Sequence, residues 1–165
     1  MVTEGDAAPD FTVPRANGAA YNDVEPFTLS DHLGSGPVNL AFYPAAFTNG
    51  CTAEMCSFRD SMHEFDSVNA SVYGISVDLP FAQNVWIQEH DLNFPMLSDW
   101  THEVIHEYDV VDPAMYDMIE VAERSVFVLD ERGTVAYRWV RDGDNPDFDR
   151  FVDDLYDVVA SVSTS

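Results

Sequence analysis

The chain of 165 residues sets Lys+Arg 7 against Asp+Glu 30, a formal charge of -23, and every basic side chain other than histidine is an arginine. Such a surface argues against nucleic acid as a partner, because phosphate contacts need clustered positive charge, and no apolar run approaches the roughly 20 residues of a membrane span. With 46% hydrophobic and 13% aromatic content the chain is globular and acidic, not disordered, and long enough for one domain over residues 1–165.

Crowded carboxylates repel one another at low ionic strength, and molar salt shortens the Debye length to about 3 Å and relieves them. The composition therefore predicts a cytoplasmic protein of halophilic type. The opening MVTEGDAAPDF has neither the basic region nor the apolar run of a signal peptide. In a cytoplasm, two neighbouring thiols are redox-active or metal-binding more often than they are structural staples.

In chain order, DFTV ahead of PRANG and the segment PFTLSDHL read as short strands or turns of a flanking ribbon. VNLAFY (Val38 to Tyr43) is a buried strand bounded by turn residues. Met55, Phe58, Met62, Phe65 and Val68 then recur at helical spacing, which predicts an amphipathic helix beginning near Thr52. SVYGISV (Ser71 to Val77) is a second strand, and Pro80 opens a helix over Phe81 to His90. A shorter helix covers His102 to Tyr108. SVFVLD (Ser125 to Asp130) and TVAYRWV (Thr134 to Val140) form a hairpin joined at Glu131-Arg132-Gly133. Phe148, Phe151, Val152, Leu155, Val158 and Val159 define a closing helix, after which the Ser/Thr tail beyond Val162 frays. This order suits a thioredoxin-like α/β sandwich, a central mixed sheet flanked by helices, with an N-terminal β extension.

Both cysteines lie in PAAFTNGCTAEMC, Pro44 to Cys56. Cys51 falls where strand, loop and helix meet, so its sulfur belongs to the first helical turn, whose unpaired N–H groups and dipole favour a thiolate. An unperturbed thiol, with pKa about 8.5, is only about 3% ionised at pH 7. In so acidic a chain a contact cation is needed to favour the anion. Arg124, which opens the buried strand of ERSVFVLD, is the arginine placed to supply it.

Pro44, Thr48 and Cys51 match the P-x-x-x-T-x-x-C signature of peroxiredoxins, and Arg124 falls where that family carries an active-site arginine. APDF, TLSD, LAFYPAAFT, FRD, FPMLSD and SVFVLD also follow in the family's order, so the resemblance spans nearly the whole chain. It implies reduction of hydrogen peroxide or organic hydroperoxides without metal, haem or flavin. Cys51 would attack as thiolate and become a sulfenic acid. Thr48 would orient sulfur and peroxide, Arg124 would stabilise the anion and the polarised O–O bond, and Pro44 would shield the site from water. Glu54 matches a family glutamate that orients the arginine. The implied partners are the peroxide and a thioredoxin- or glutaredoxin-like reductant, and the resemblance points to a homodimer.

Cys56 leaves two readings open. CTAEMC resembles the bacterioferritin-comigratory (PrxQ) branch, in which the resolving cysteine lies five residues on, whereas PAAFT is similar to one-cysteine, AhpE-like branches in which Cys56 would be an inert apolar residue. On an intact helix the two Cα atoms would be about 8.7 Å apart, beyond the roughly 7 Å a disulfide spans, so a resolving role requires the helix to unwind. Gly50 would ease that change. Two rivals remain. One is a carrier holding a soft metal between Cys51 and Cys56. The other is zinc chemistry at HEVIH, His102 to His106, which lacks the extension that would bring a third ligand.

Overall fold

Side-chain alternation along the inner strands gives one sheet two buried faces. In the computed structural model, which describes residues 1–163, the chain runs β1 (Thr12–Ala16), β2 (Val24–Thr28), a 3-10 turn (Leu29–His32), β3 (Val38–Phe42), α1 (Asn49–Ser67), β4 (Ser71–Ser76) and α2 (Pro80–His90). It continues with β5 (Met96–Ser98), α3 (Glu103–Glu107), β6 (Val111–Met115), β7 (Ile119–Ala122), β8 (Ser125–Leu129), β9 (Val135–Val140) and α4 (Phe148–Ser163). Seven strands form one mixed sheet in the order β2-β1-β5-β4-β3-β8-β9, and β6 and β7 make a separate hairpin. β3 and β5 run parallel to β4, while β8 is antiparallel to β3.

Ala41, Tyr43, Val72, Val126 and Val128 face one core, covered by α1, α2 and α4 through Met55, Phe58, Phe65, Trp86, Val152 and Leu155. Their strand neighbours Leu40, Phe42, Ile75, Phe127 and Leu129 face the other core, closed by α3 and the N-terminal segment through Phe11, Phe27, Ile105 and Tyr108. At about 1.5–3 kcal/mol for each fully buried large apolar side chain, these two layers dominate the favourable side of folding.

The N-terminal ribbon is part of the main sheet, because Arg15 and Ala16 of β1 pair with Leu97 and Met96 of β5. β1 also runs through Pro14, where DFTV alone had suggested an earlier end. Pro14 stands opposite Pro26, so neither strand wastes an N–H there, and β2 is the sheet edge on which proline is tolerated.

α1 begins at Asn49, three residues before the expected start near Thr52, because Thr48, in extended conformation, serves as N-cap and the Thr52 N–H already reaches the Thr48 carbonyl at 2.9 Å. α3 is shorter than expected by one residue at each end. The β8–β9 hairpin has the expected position. The sequence reading had neither the three-residue β5 nor the β6–β7 hairpin. Trp86 is buried, Trp139 packs on Phe151 at 4.4 Å and Trp100 is exposed. Fraying was expected beyond Val162, but Ser163 is the last residue of α4, its hydroxyl donating to the Val68 carbonyl, and Thr164 and Ser165 lie outside the described residues. Among the described residues no helix is long and apolar enough to cross a membrane.

Candidate active site

The Tyr43 N–H still bonds the Ile75 carbonyl at 2.9 Å, and the chain then leaves the sheet at Pro44, which has no N–H to offer. Two contacts fasten the following loop. The Ala46 N–H donates to Asp78 Oδ2 at 2.8 Å, and that same oxygen accepts from Ser76 Oγ at 2.7 Å. The Thr48 hydroxyl donates to the Ala45 carbonyl at 2.8 Å, so its lone pairs stay free to accept. Phe47, at φ 66, takes the left-handed conformation that turns the chain into α1. Cys51 thus lies in the first helical turn, as expected, among N–H groups that have no intrahelical acceptor.

Strand register brings Arg124 to this sulfur. β3 pairs with β8 so that Phe42 faces Ser125, which sets Arg124 beside the loop that starts at Pro44. Arg124 is 2% exposed, Cys51 1% and Glu54 0%. The guanidinium gives one bond from each nitrogen: Nη2 to Cys51 Sγ at 3.3 Å, Nη1 to Glu54 Oε1 at 2.8 Å, and Nε to Asn145 Oδ1 at 3.1 Å. A further N–H on each terminal nitrogen remains available to an incoming oxygen. Phe148 packs under the guanidinium, its ring centroid 5.3 Å from Cζ.

Burial pushes the Glu54 carboxyl up to about 7 against the opposing pull of Arg124. Burial also weakens the charge on Arg124, but the neighbouring Glu54 and Cys51 outweigh it and hold the arginine above its ordinary pKa. Among the described residues Glu54 Oε2 has no hydrogen-bond partner, so the carboxyl is committed through a single oxygen.

Pro44, Thr48, Cys51 and Arg124 line one cleft of about 270 Å³. Its other walls went unforeseen: Asp112, Met115 and Tyr116 from the β6–β7 hairpin, and Arg141 and Asn145 from the loop after β9. Arg141 was within reach of sequence reasoning, since a hairpin pairing Ser125 with Val140 puts the next residues, Arg124 and Arg141, side by side. The Arg141 N–H indeed donates to the Arg124 carbonyl at 2.9 Å. Its guanidinium donates to Asn145 Oδ1 at 2.8 Å and to Glu123 Oε1 at 3.1 Å. Gly50 has a steric reason as well, because a Cβ there would stand 2.7 Å from Asn145 Nδ2 and 3.2 Å from Arg124 Nη2.

Cys56 shares the unbroken α1 with Cys51, and both thiols are free. It is half-buried and opens on a different depression, lined also by Asp60, Asp147, Phe148 and Asp149. The HEVIH histidines do not share a helix face. His102 precedes α3 in left-handed conformation, and His102 Nδ1 and His106 Nε2 both bond Glu120 Oε1, at 2.8 and 3.1 Å. Among the described residues no group of three or more His, Cys, Asp or Glu side chains could hold a metal ion.

The molecule has the thioredoxin-like fold of the peroxiredoxins. It superposes on the crystal structure of the peroxidoxin BcpB from Mycobacterium tuberculosis with a TM-score of 0.83 at 32% identity, covering 98% of each chain. A protein of Mycobacterium tuberculosis named as a peroxiredoxin is 38% identical over 137 residues, 82% of this chain and 83% of that one. Another, from Synechocystis, is 33% identical over 165 residues, 96% of this chain and 77% of the relative. The model of the AhpC/TSA family matches residues 4–138, and the chain belongs to that family. It is a thiol-dependent peroxidase, an oxidoreductase.

Proposed function

We propose that Cys51 is the peroxidatic thiol of this enzyme. The observation that carries the assignment is Arg124 Nη2 standing 3.3 Å from Cys51 Sγ, both groups buried at one cleft. The thiolate sulfur attacks one peroxide oxygen along the O–O axis. The S–O bond forms as the O–O bond breaks, sulfur is oxidised to the sulfenic acid, and the departing oxygen leaves as water or an alcohol after taking a proton. The spare N–H groups of Arg124 stabilise charge growing on the peroxide. The Thr48 hydroxyl, anchored through its own proton to Ala45, accepts from the peroxide's hydrogen and aligns it. Pro44 excludes water from one side, and Glu54 fixes the guanidinium from behind.

Cys56 is the resolving thiol in this proposal. Joining it to Cys51 releases water from the sulfenic acid and requires the first turns of α1 to unwind. A thioredoxin- or glutaredoxin-like dithiol then reduces the disulfide. Peroxiredoxins as a class act on peroxides with thioredoxin-type reductants, and we extend this to a homodimer working in a salt-rich cytoplasm. The absence of lysine and the charge of -23 support the last point.

The test is peroxide consumption with a thiol reductant in wild type, Cys51→Ser and Cys56→Ser. Loss of activity in Cys51→Ser supports the assignment, and activity persisting there removes it. Full thioredoxin-dependent turnover in Cys56→Ser would withdraw only the resolving step.

A further inference from the structure

We infer that Asn145 is a positioning residue for Arg124, and that it serves because its acceptor is uncharged; the inference deepens the peroxidatic assignment above. Asn145 Oδ1 takes two guanidinium donors at once, Arg124 Nε at 3.1 Å and Arg141 Nη1 at 2.8 Å. The first of these fixes the one Arg124 nitrogen that neither Cys51 nor Glu54 holds. Without it the guanidinium could swing about its remaining bonds and carry Nη2 off the sulfur. The other amide atom, Nδ2, closes over Gly50, where a Cβ would stand only 2.7 Å away, so Asn145 rests directly on the first turn of α1.

The neutrality of this residue stands out against its surroundings. The loop RDGDNPDFD, Arg141 to Asp149, puts aspartate at 142, 144, 147 and 149 but asparagine at the position that touches Arg124. Carboxylates already face both arginines, Glu54 on Arg124 and Glu123 on Arg141, and Asp112 lines the same cleft. A carboxylate at 145 would hold the two arginines at least as firmly. It would also cancel the positive field that favours the thiolate and the polarised peroxide. An amide oxygen supplies the hydrogen bonds without that cost.

Two variants decide the matter, Asn145→Asp and Asn145→Ala, read by the pH dependence of thiolate absorbance at 240 nm in a Cys56→Ser background and by the rate of peroxide reduction. Asn145→Asp keeps shape and acceptor, so a purely structural role predicts wild-type behaviour. Charge exclusion instead predicts that thiolate formation moves upward by about one pH unit and that the rate at pH 7 falls about tenfold. Asn145→Ala should slow peroxide reduction about tenfold by freeing Arg124. Wild-type titration and rate in Asn145→Asp, or a wild-type rate in folded Asn145→Ala, would overturn the inference. Should Asn145→Ala fail to fold, the isosteric Asn145→Asp alone decides. The titration needs no turnover, so a wild type without peroxidase activity would strike down the peroxidatic assignment while this reading of Asn145 was still judged on its own.

Discussion

The two thiols occupy one helix five positions apart and have opposite surroundings. Cys51 is buried against a guanidinium, under Asn145, at the helix N-terminus. Cys56 is half-buried in a depression with three aspartates, and its nearest cation in sequence, Arg59, is turned to Asp60 and the His90 carbonyl. Sequence distance therefore says little about thiol chemistry. What separates the two is that strand pairing delivers a cation to one sulfur, whereas Asp60 of α1 and the distant Asp147 and Asp149 surround the depression of the other.

Removing the delivered cation should break the contrast most severely. Arg124→Gln is expected to lower the rate constant for peroxide reduction about 100-fold, measured by stopped-flow loss of tryptophan fluorescence, and a rate within threefold of wild type would deny the guanidinium its role. The next effect concerns Glu54, which lies between the thiols and ties α1 to Arg124. Its carboxyl binds a proton more tightly when folded, about 7, than when unfolded, near 4.5. Below the unfolded value both states are protonated; as pH rises from there to about 7 the folded state is progressively penalised. Denaturant unfolding of Glu54→Gln should therefore gain on wild type by about 2 kcal/mol between pH 4.5 and about 6.5, and a constant difference would argue against a buried, proton-retaining carboxyl.

Smaller still is the difference in labelling. At pH 6 in molar salt, without denaturant, iodoacetamide should modify the Cys51-only variant about tenfold faster than the Cys56-only variant; equal rates would erase the electrostatic distinction. The smallest expected effect is that of Gly50→Ala, which displaces the Asn145 amide and shifts Arg124 Nη2. Peroxide reduction should slow about threefold while stability holds or rises by about 0.5 kcal/mol, because alanine is the better helix residue. A slower enzyme that was also less stable would point to general damage.

Cys51 and Arg124 were legible from a helix start and a strand start, whereas Pro44, Thr48 and Glu54 were singled out through the resemblance to peroxiredoxins, not through a local rhythm of their own. The β6–β7 hairpin was not legible, since Val111–Met115 contains Pro113, carries a register shift and is nowhere fully buried, leaving no two-residue apolar rhythm to read. β5 is too short to show periodicity. Asn145 was invisible for another reason, since its role depends on a contact with Gly50 far away in sequence. HEVIH shows the reverse failure: a spacing motif presumes a helix through both histidines, and His102 stands outside it.

Asp78 holds the Ala46 N–H from below and is itself braced by Ser76 at the end of β4. This floor of the cleft is thereby riveted to the central sheet, while the first turns of α1, with Asn145 resting on them, meet Arg124 through the side chains of Cys51 and Glu54. If the catalytic cycle demands movement, the floor can stay as a fixed anvil. Each reset to the reactive form is then a matter of re-docking one helical end against a surface that never left.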